Sequence, residues 1–70
     1  MRLRSLLVDH AEAARMRDIP VASWDRLNAA GKTPRPIRLG GGRLRWRRSD
    51  LESWIGHGCP DRKTFEALYD

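Results

Sequence analysis

The residues of this chain that are best suited to chemistry are arginines, and they gather in one stretch, Pro36 to Arg47. Apolar and charged residues alternate there on both sides of three consecutive glycines. Strict alternation is typical of a half-buried strand, and two such runs joined by a glycine-containing loop are typical of a β-hairpin. We expect the apolar residues to form the inner face of this hairpin: Ile37, Leu39, Leu44 and Trp46. We expect the arginines to form its outer face: Arg38, Arg43, Arg45 and Arg47.

The basic charge of the chain is concentrated around this hairpin. The sequence has 70 residues and a formal net charge of +5 at pH 7. From Arg26 to Arg48 it carries eight basic residues and no Asp or Glu, and seven of the eight are arginine. The planar fork of arginine donates two parallel hydrogen bonds to a phosphate. A one-sided basic block in a small domain therefore indicates nucleic acid first, with an ordinary solvated charged surface as the simpler alternative.

Other kinds of chemistry have little support in the sequence. Cys59 is the single cysteine, so no intramolecular disulfide forms, which suits a reducing compartment. His10, His57 and Cys59 do not have the four-ligand spacing of a zinc site. There is also no nucleophile–base pair, phosphate-binding G-x-x-x-x-G-K motif or paired-carboxylate arrangement. We therefore expect no catalytic residue, no metal and no cofactor, and a protein that is not an enzyme.

Helices must cover the inner face of the hairpin, because an isolated two-stranded hairpin is marginally stable in water. Asp9, followed three residues later by Glu12, predicts a helix N-cap and a first helix over 10–17. Pro20 suits the first turn of a second helix over 20–30, with Trp24 on its buried side. Two short helices joined by a tight turn predict a helix-turn-helix.

The remaining apolar residues predict elements on either side of these. Ser49 and Glu52 have the spacing of a capping box, which predicts a third helix beginning near Ser49. Apolar residues at i, i+3 and i+4 predict a short C-terminal helix through Phe65, Leu68 and Tyr69. Near the N-terminus, residues 6–8 form either a small extra strand or an apolar plug.

Residues 43–55, Arg-Leu-Arg-Trp-Arg-Arg-Ser-Asp-Leu-Glu-Ser-Trp-Ile, follow Pro-Arg-Pro-Ile-Arg-Leu-Gly-Gly. This string resembles the AlpA and excisionase-like family of small phage regulators, winged-helix proteins related to the DNA-binding part of MerR regulators. The resemblance covers residues 6–55. With the C-terminal helix, it implies an α+β fold: a small winged helix-turn-helix of two N-terminal helices, a two-stranded hairpin wing and a third helix. We expect a DNA-binding domain over 1–58 and a helical tail over 59–70.

The resemblance implies a function in DNA binding. It predicts a sequence-specific double-stranded DNA-binding protein, either a transcriptional regulator or an excisionase, that is, a recombination directionality factor of a phage or mobile element. Expected partners are duplex DNA, a second copy in a dimer or cooperative array, and an integrase or recombinase, with no membrane. The expected location is the cytoplasm, in association with the nucleoid. Two alternatives remain open: a protein-interaction adaptor whose basic wing docks on an acidic partner, and an RNA-binding basic module.

The expected DNA-binding residues fall into three groups. In the second helix, apolar side chains suit thymine methyl groups, Arg26 suits guanine or phosphate, and Ser23 suits phosphate. Asp25 has three open roles: accepting from cytosine, pairing with Arg26, or facing away. The helix group is Val21, Ala22, Ser23, Asp25 and Arg26. The linker group is Lys32 and Arg35. The hairpin group is Arg38, Gly41, Gly42, Arg43, Arg45 and Arg47.

The hairpin glycines let the loop turn tightly and leave no side chain between backbone and phosphate. Arg43 is expected at the tip, where a minor groove can receive it. If about four to six phosphates are neutralised, a plot of log K against log salt slopes about −4 to −5.

Overall fold

The computed structural model of the protein describes residues 5–68. Within this range it has four helices and three short strands, so the expected α+β class is confirmed. The strands form one antiparallel sheet in the order β1-β3-β2. The predicted contribution of Tyr69 to the C-terminal stripe lies outside the described residues. The elements in chain order are β1 (Leu7–Val8), α1 (His10–Arg17), α2 (Val21–Ala29), β2 (Ile37–Arg38), β3 (Leu44–Arg47), α3 (Arg48–Gly56) and α4 (Arg62–Ala67).

The first apolar segment is a strand rather than a plug. Leu7 lies opposite Arg47, and Val8 lies opposite Trp46, so β3 becomes the central strand of the sheet. Val8 and Trp46 are both buried. Directly opposed residues of an antiparallel pair share a face, so these two side chains define the core face of the sheet.

The predicted hairpin is present, and the predicted division of its faces holds for β3, where Trp46 is buried and Arg47 is exposed, and for the exposed Arg43 just before it, but is wrong for β2. Ile37 lies opposite Arg45, and Arg38 lies opposite Leu44. Ile37 therefore shares the face of Arg45, whereas Arg38 shares the core-side face of Leu44 and Trp46. The cause is the length of the loop. Three residues, Gly40–Gly42, separate Leu39 from Arg43, and the Leu39 backbone N–H donates to the Arg43 carbonyl at 2.8 Å. With a three-residue loop, each odd-numbered residue of β2 lies opposite an odd-numbered residue of β3. A shift of one residue in register would move every β2 side chain to the other face.

Three tryptophans form the centre of the core. Trp24 meets Trp46 and Trp54 edge-on, with ring centroids 5.2 Å and 5.8 Å apart. All three are buried, and edge-to-face pairs add about 0.5–1.5 kcal/mol each beyond their buried area. The Trp46 indole N–H donates to the Pro34 carbonyl at 3.0 Å, and that of Trp54 donates to the Pro60 carbonyl at 2.7 Å. The core thus joins α2, β3 and α3, and two indole hydrogen bonds tie β3 and α3 to loop carbonyls.

The first two helices have the predicted positions. The Asp9 carboxylate accepts the Glu12 backbone N–H at 2.9 Å and caps α1, whose bounds agree with the prediction. α1 ends at Asp18, which adopts the left-handed conformation with φ 63° and bonds back to the last turn. α2 is one residue shorter at each end than predicted, since Pro20 is its N-cap and Ala30 its C-cap.

The capping box predicted at Ser49 is wrong, because α3 begins one residue earlier, at Arg48. Its N-cap is Arg47, which makes no side-chain capping bond. β3 runs directly into the helix, and the Arg48 backbone N–H donates to the Leu6 carbonyl at 2.8 Å. The residue before β1 thus satisfies one of the N–H groups that the start of a helix leaves without an intrahelical partner.

The last helix packs onto the rest of the molecule. Asp61 caps α4 by accepting the Thr64 backbone N–H at 2.8 Å, and Phe65 is buried in the common core. Leu68 stays half-exposed at 52%. No helix among residues 5–68 is long and apolar enough to cross a membrane.

Candidate nucleic-acid interface

The exposed face of α2 carries part of the predicted helix group. Ala22, Asp25 and Arg26 are exposed, and their spacing places them on one side of the helix. Ser23 is half-buried, and Val21 is half-buried and packs against the core. The accessible surface of α2 is therefore short and centred on Asp25 and Arg26.

Asp25 does not pair with its neighbour Arg26. Its carboxylate lies 3.0 Å from Nδ1 of His10, at the start of α1. Arg26 instead donates to the Ser23 hydroxyl at 3.2 Å. The guanidinium of Arg26 is thus exposed and without a carboxylate partner among residues 5–68, while the negative charge of Asp25 is directed toward α1.

The tip of the hairpin is built from glycines flanked by two arginines. Gly41 and Gly42 adopt φ of 80° and 78°, a region that side-chain-bearing residues rarely occupy. Arg38 and Arg43 are exposed on either side of this turn. Neither has a carboxylate partner within residues 5–68, and the register places them on opposite faces of the hairpin. The tip therefore presents positive charge to both sides.

The base of the hairpin differs from its tip. Arg45 is half-buried, donates to the Leu44 carbonyl at 2.8 Å and lies near Asp9. The hydrogen bond from the Glu12 backbone holds the Asp9 pKa below its usual value, and the charge of Arg45 lowers it further. Arg47 lies 3.6 Å from the carboxylate of Asp50. Arg47 thus has an acidic partner in Asp50, and Arg45 has the carboxylate of Asp9 nearby.

The linker residues are also near acids. Arg35 forms a two-point hydrogen bond to Glu66 of α4, at 2.9 Å and 3.3 Å. The bond from Arg35 keeps the Glu66 pKa below its usual value, and the same pair raises the Arg35 pKa. Lys32 is exposed, and its charge adds to the lowering of the Asp61 pKa, which the Thr64 backbone hydrogen bond dominates.

The basic residues therefore border two different depressions of the surface. The first, the helix–hairpin cleft, has a volume of about 310 Å³ between α2 and the hairpin and is lined by His10, Asp25, Asn28, Leu44, Arg45 and Trp46. The second, the α4 groove, has a volume of about 270 Å³; its lining includes Arg35, Ile37, Arg47, Asp50, Phe65 and Glu66. Arg45 lines the first depression, whereas Arg35 and Arg47 line the second.

Sequence reasoning missed the acids and the arginine that α4 contributes. Glu66 neutralises Arg35, and Arg62 bonds to the linker from the other end of the same helix. Both residues lie about thirty positions from their partners, so no local pattern relates them. The phenylalanine stripe predicted α4 itself but not the surface against which it packs.

Known proteins give no further guidance to the function of this surface. Comparisons with protein-family models, with curated proteins and with solved structures found no match. Among the described residues, no group of three or more His, Cys, Asp or Glu could hold a metal ion.

Proposed function

We propose that this protein binds double-stranded DNA as a small winged helix-turn-helix domain. In this proposal α1 and α2 form the helix-turn-helix, α2 enters the major groove, and the β2–β3 hairpin is the wing. We further propose that it regulates transcription or excision of a phage or mobile element, a role that depends on the resemblance carried by residues 43–55. An integrase or a second copy of the chain is its expected partner on DNA.

The observation that carries the proposal is the pair of arginines at the hairpin tip. Arg38 and Arg43 flank a turn of glycines, so the backbone can approach a polyanion closely with a charge on each side. Both guanidinium groups lack an internal acid among residues 5–68, which leaves their donors for phosphate oxygens or a narrow minor groove.

The exposed face of α2 supports the same function. Arg26 is exposed, and its long side chain can reach a guanine edge or a phosphate. Ala22 lies one turn earlier and offers a methyl group to a thymine. The carboxylate of Asp25 is turned toward α1, where it lies 3.0 Å from Nδ1 of His10.

A salt titration tests the proposal. We expect the wild type to bind mixed-sequence duplex DNA with a log K against log salt slope of about −4 to −5. The double variant Arg38→Ala with Arg43→Ala loses about two units of that slope. A matched double variant, Arg15→Ala with Lys63→Ala, removes the same charge from α1 and α4 and keeps the slope. Absence of binding by folded protein at low salt contradicts the proposal, as does equally tight binding to structured RNA.

A further inference from the structure

The linker between α2 and the hairpin contains two residues that are fully buried. Thr33 is 0% exposed, and Pro34 is also among the most completely buried side chains. A linker with buried side chains is uncommon, since connecting segments usually run over the surface. What packs around this linker therefore bears on how the two proposed DNA-contacting elements are held relative to each other.

Hydrogen bonds lead from α2 through this linker to the hairpin. The Thr33 hydroxyl donates to Oδ1 of Asn28, in the last turns of α2, at 2.9 Å. The next carbonyl, that of Pro34, accepts the indole N–H of Trp46 in β3 at 3.0 Å. Each end of the buried linker is thus fastened to one of the two elements.

Arg62 of α4 closes this network. Its Nε donates to the Thr33 carbonyl at 3.0 Å, and its Nη2 donates to Oδ1 of Asn28 at 2.9 Å. Its backbone N–H donates to the Gly31 carbonyl at 3.0 Å. The planar fork of arginine bonds two acceptors at once in a fixed geometry, which lysine cannot do. One side chain therefore joins the end of α2 to the linker.

Few other contacts fix α2 against the hairpin. α2 packs chiefly against α1, whereas β3 packs against β1, β2, α1 and α3. The edge-on contact of Trp24 and Trp46 joins α2 to β3 directly in the core, and Trp54 and α1 join them indirectly. Asn28 and Thr33 fasten the C-terminal end of α2 to the buried linker that leads into the hairpin.

We propose that Arg62 is a positioning residue for DNA binding, which holds α2 and the hairpin in one relative orientation so that both contact the same duplex. This inference depends on the proposed function. Two contacts held at a fixed separation bind with high effective concentration, whereas a loosely joined pair must be ordered on binding. Without Arg62, α2 still binds DNA, but the hairpin adds less to the affinity.

The first test uses the free protein. Residual dipolar couplings of backbone amides in α2 and in β3 fit one alignment tensor in the wild type and need two in Arg62→Gln. Lys63→Gln is the matched control, because it removes the same charge from the next residue of α4 and leaves the network intact. If Arg62→Gln does not fold, Asn28→Ala cuts the attachment to α2 while alanine keeps the helix. A single tensor in the folded variants overturns the proposal.

The second test uses duplex DNA and the hairpin variant Arg43→Ala. In the wild type and in Lys63→Gln, we expect Arg43→Ala to weaken binding about fivefold or more. In Arg62→Gln the same change weakens binding by about twofold or less, because the hairpin is no longer held in place. An undiminished effect of Arg43→Ala in Arg62→Gln overturns the positioning role.

The two tests separate this inference from the proposed function. If the wild type does not bind duplex DNA, the proposed function fails, and the dipolar couplings still decide whether Arg62 orders the two elements. If the wild type binds DNA and one tensor fits Arg62→Gln, the proposed function stands and the positioning role fails.

Discussion

The tip of the hairpin and the α4 groove carry the same residue type in opposite situations. Arg38 and Arg43 at the tip have no carboxylate partner among residues 5–68, whereas Arg35 and Arg47 beside the groove lie 2.9 Å and 3.6 Å from an acid. An arginine that is already paired must exchange one partner for another when it binds phosphate. The number of arginines in a segment therefore does not by itself predict how strongly that segment binds a polyanion.

This difference bears on where DNA affinity is expected. Surface ion pairs contribute little to stability, typically below about 1 kcal/mol, so we expect the pair of Arg35 and Glu66 to add little to the free energy of folding. Glu66 has a clearer effect on the binding of a polyanion, because it accepts two hydrogen bonds from Arg35 and places negative charge beside the linker. The α4 side of the hairpin is thereby a weaker polyanion surface than the tip.

The largest expected effect is the difference between Arg43→Ala at the hairpin tip and Arg35→Ala beside the α4 groove. Arg43→Ala weakens binding to duplex DNA by about 1 kcal/mol and lowers the salt slope by about one unit. Arg35→Ala changes the affinity by less than about half of that, because its charge is already offset by Glu66. Fluorescence anisotropy over a salt series measures both variants, and equal losses would remove the distinction between the two regions.

A smaller effect follows from releasing the paired arginine. Glu66→Gln removes the acid of the α4 groove, and we expect duplex DNA to bind about two- to fivefold more tightly with a steeper salt slope. The gain depends on Arg35, so Glu66→Gln in an Arg35→Ala background produces a much smaller gain. A gain of equal size in that background means that general charge, rather than release of Arg35, is the cause.

The glycines of the tip provide a comparison within one turn. Gly41 has φ of 80°, and an added Cβ meets no atom within 4 Å, so any cost of Gly41→Ala lies in the backbone. We expect a loss of about 1 kcal/mol in the free energy of unfolding. Gly40→Ala, where φ is not positive and the space is equally open, has almost no cost. Chemical denaturation of the two variants measures the difference.

The last expected effect concerns stability against pH, through Asp9, which caps α1 near Arg45. Its pKa is lowered in the folded protein, so its stabilisation is present above its unfolded pKa of about 3.9 and is lost as the pH falls through the lower folded pKa. We expect Asp9→Ala to lower stability by about 1 kcal/mol at pH 7. Thermal melts across the acid range check that the difference from the wild type disappears once Asp9 is protonated.

Local signals predicted most of the secondary structure. The Asp9 cap placed α1, and Pro20 placed the start of α2 within one residue, because caps and breakers act on their own turn. The start of α3 was predicted one residue late, because Arg47 is its N-cap without a side-chain bond and the Arg48 N–H donates instead to a backbone carbonyl of residue 6. That carbonyl comes from more than forty residues earlier in the chain.

The faces of β2 were not predicted, whereas those of β3 were, and the reason lies in tertiary structure. Alternation alone places Ile37 on the face of Trp46, whereas the three-residue loop places it opposite Arg45. Ile37 is half-buried because it lines the α4 groove beside Phe65. An apolar environment on the second face could not be foreseen without knowing where α4 docks. The same docking pairs Arg35 with Glu66. The sequence therefore predicted the basic residues of the candidate site, but not which of them have an acidic partner.

The measurement that tests the central claim most directly is a titration of amide chemical shifts with duplex DNA. We expect the largest changes at the hairpin tip, around Gly41–Arg43, and on the exposed face of α2 around Ala22 and Arg26. We expect small changes at Ile55, near the end of α3, and at His57, its C-cap. Shifts concentrated at α3 and α4, or no shifts from a folded protein at low salt, would contradict the central claim.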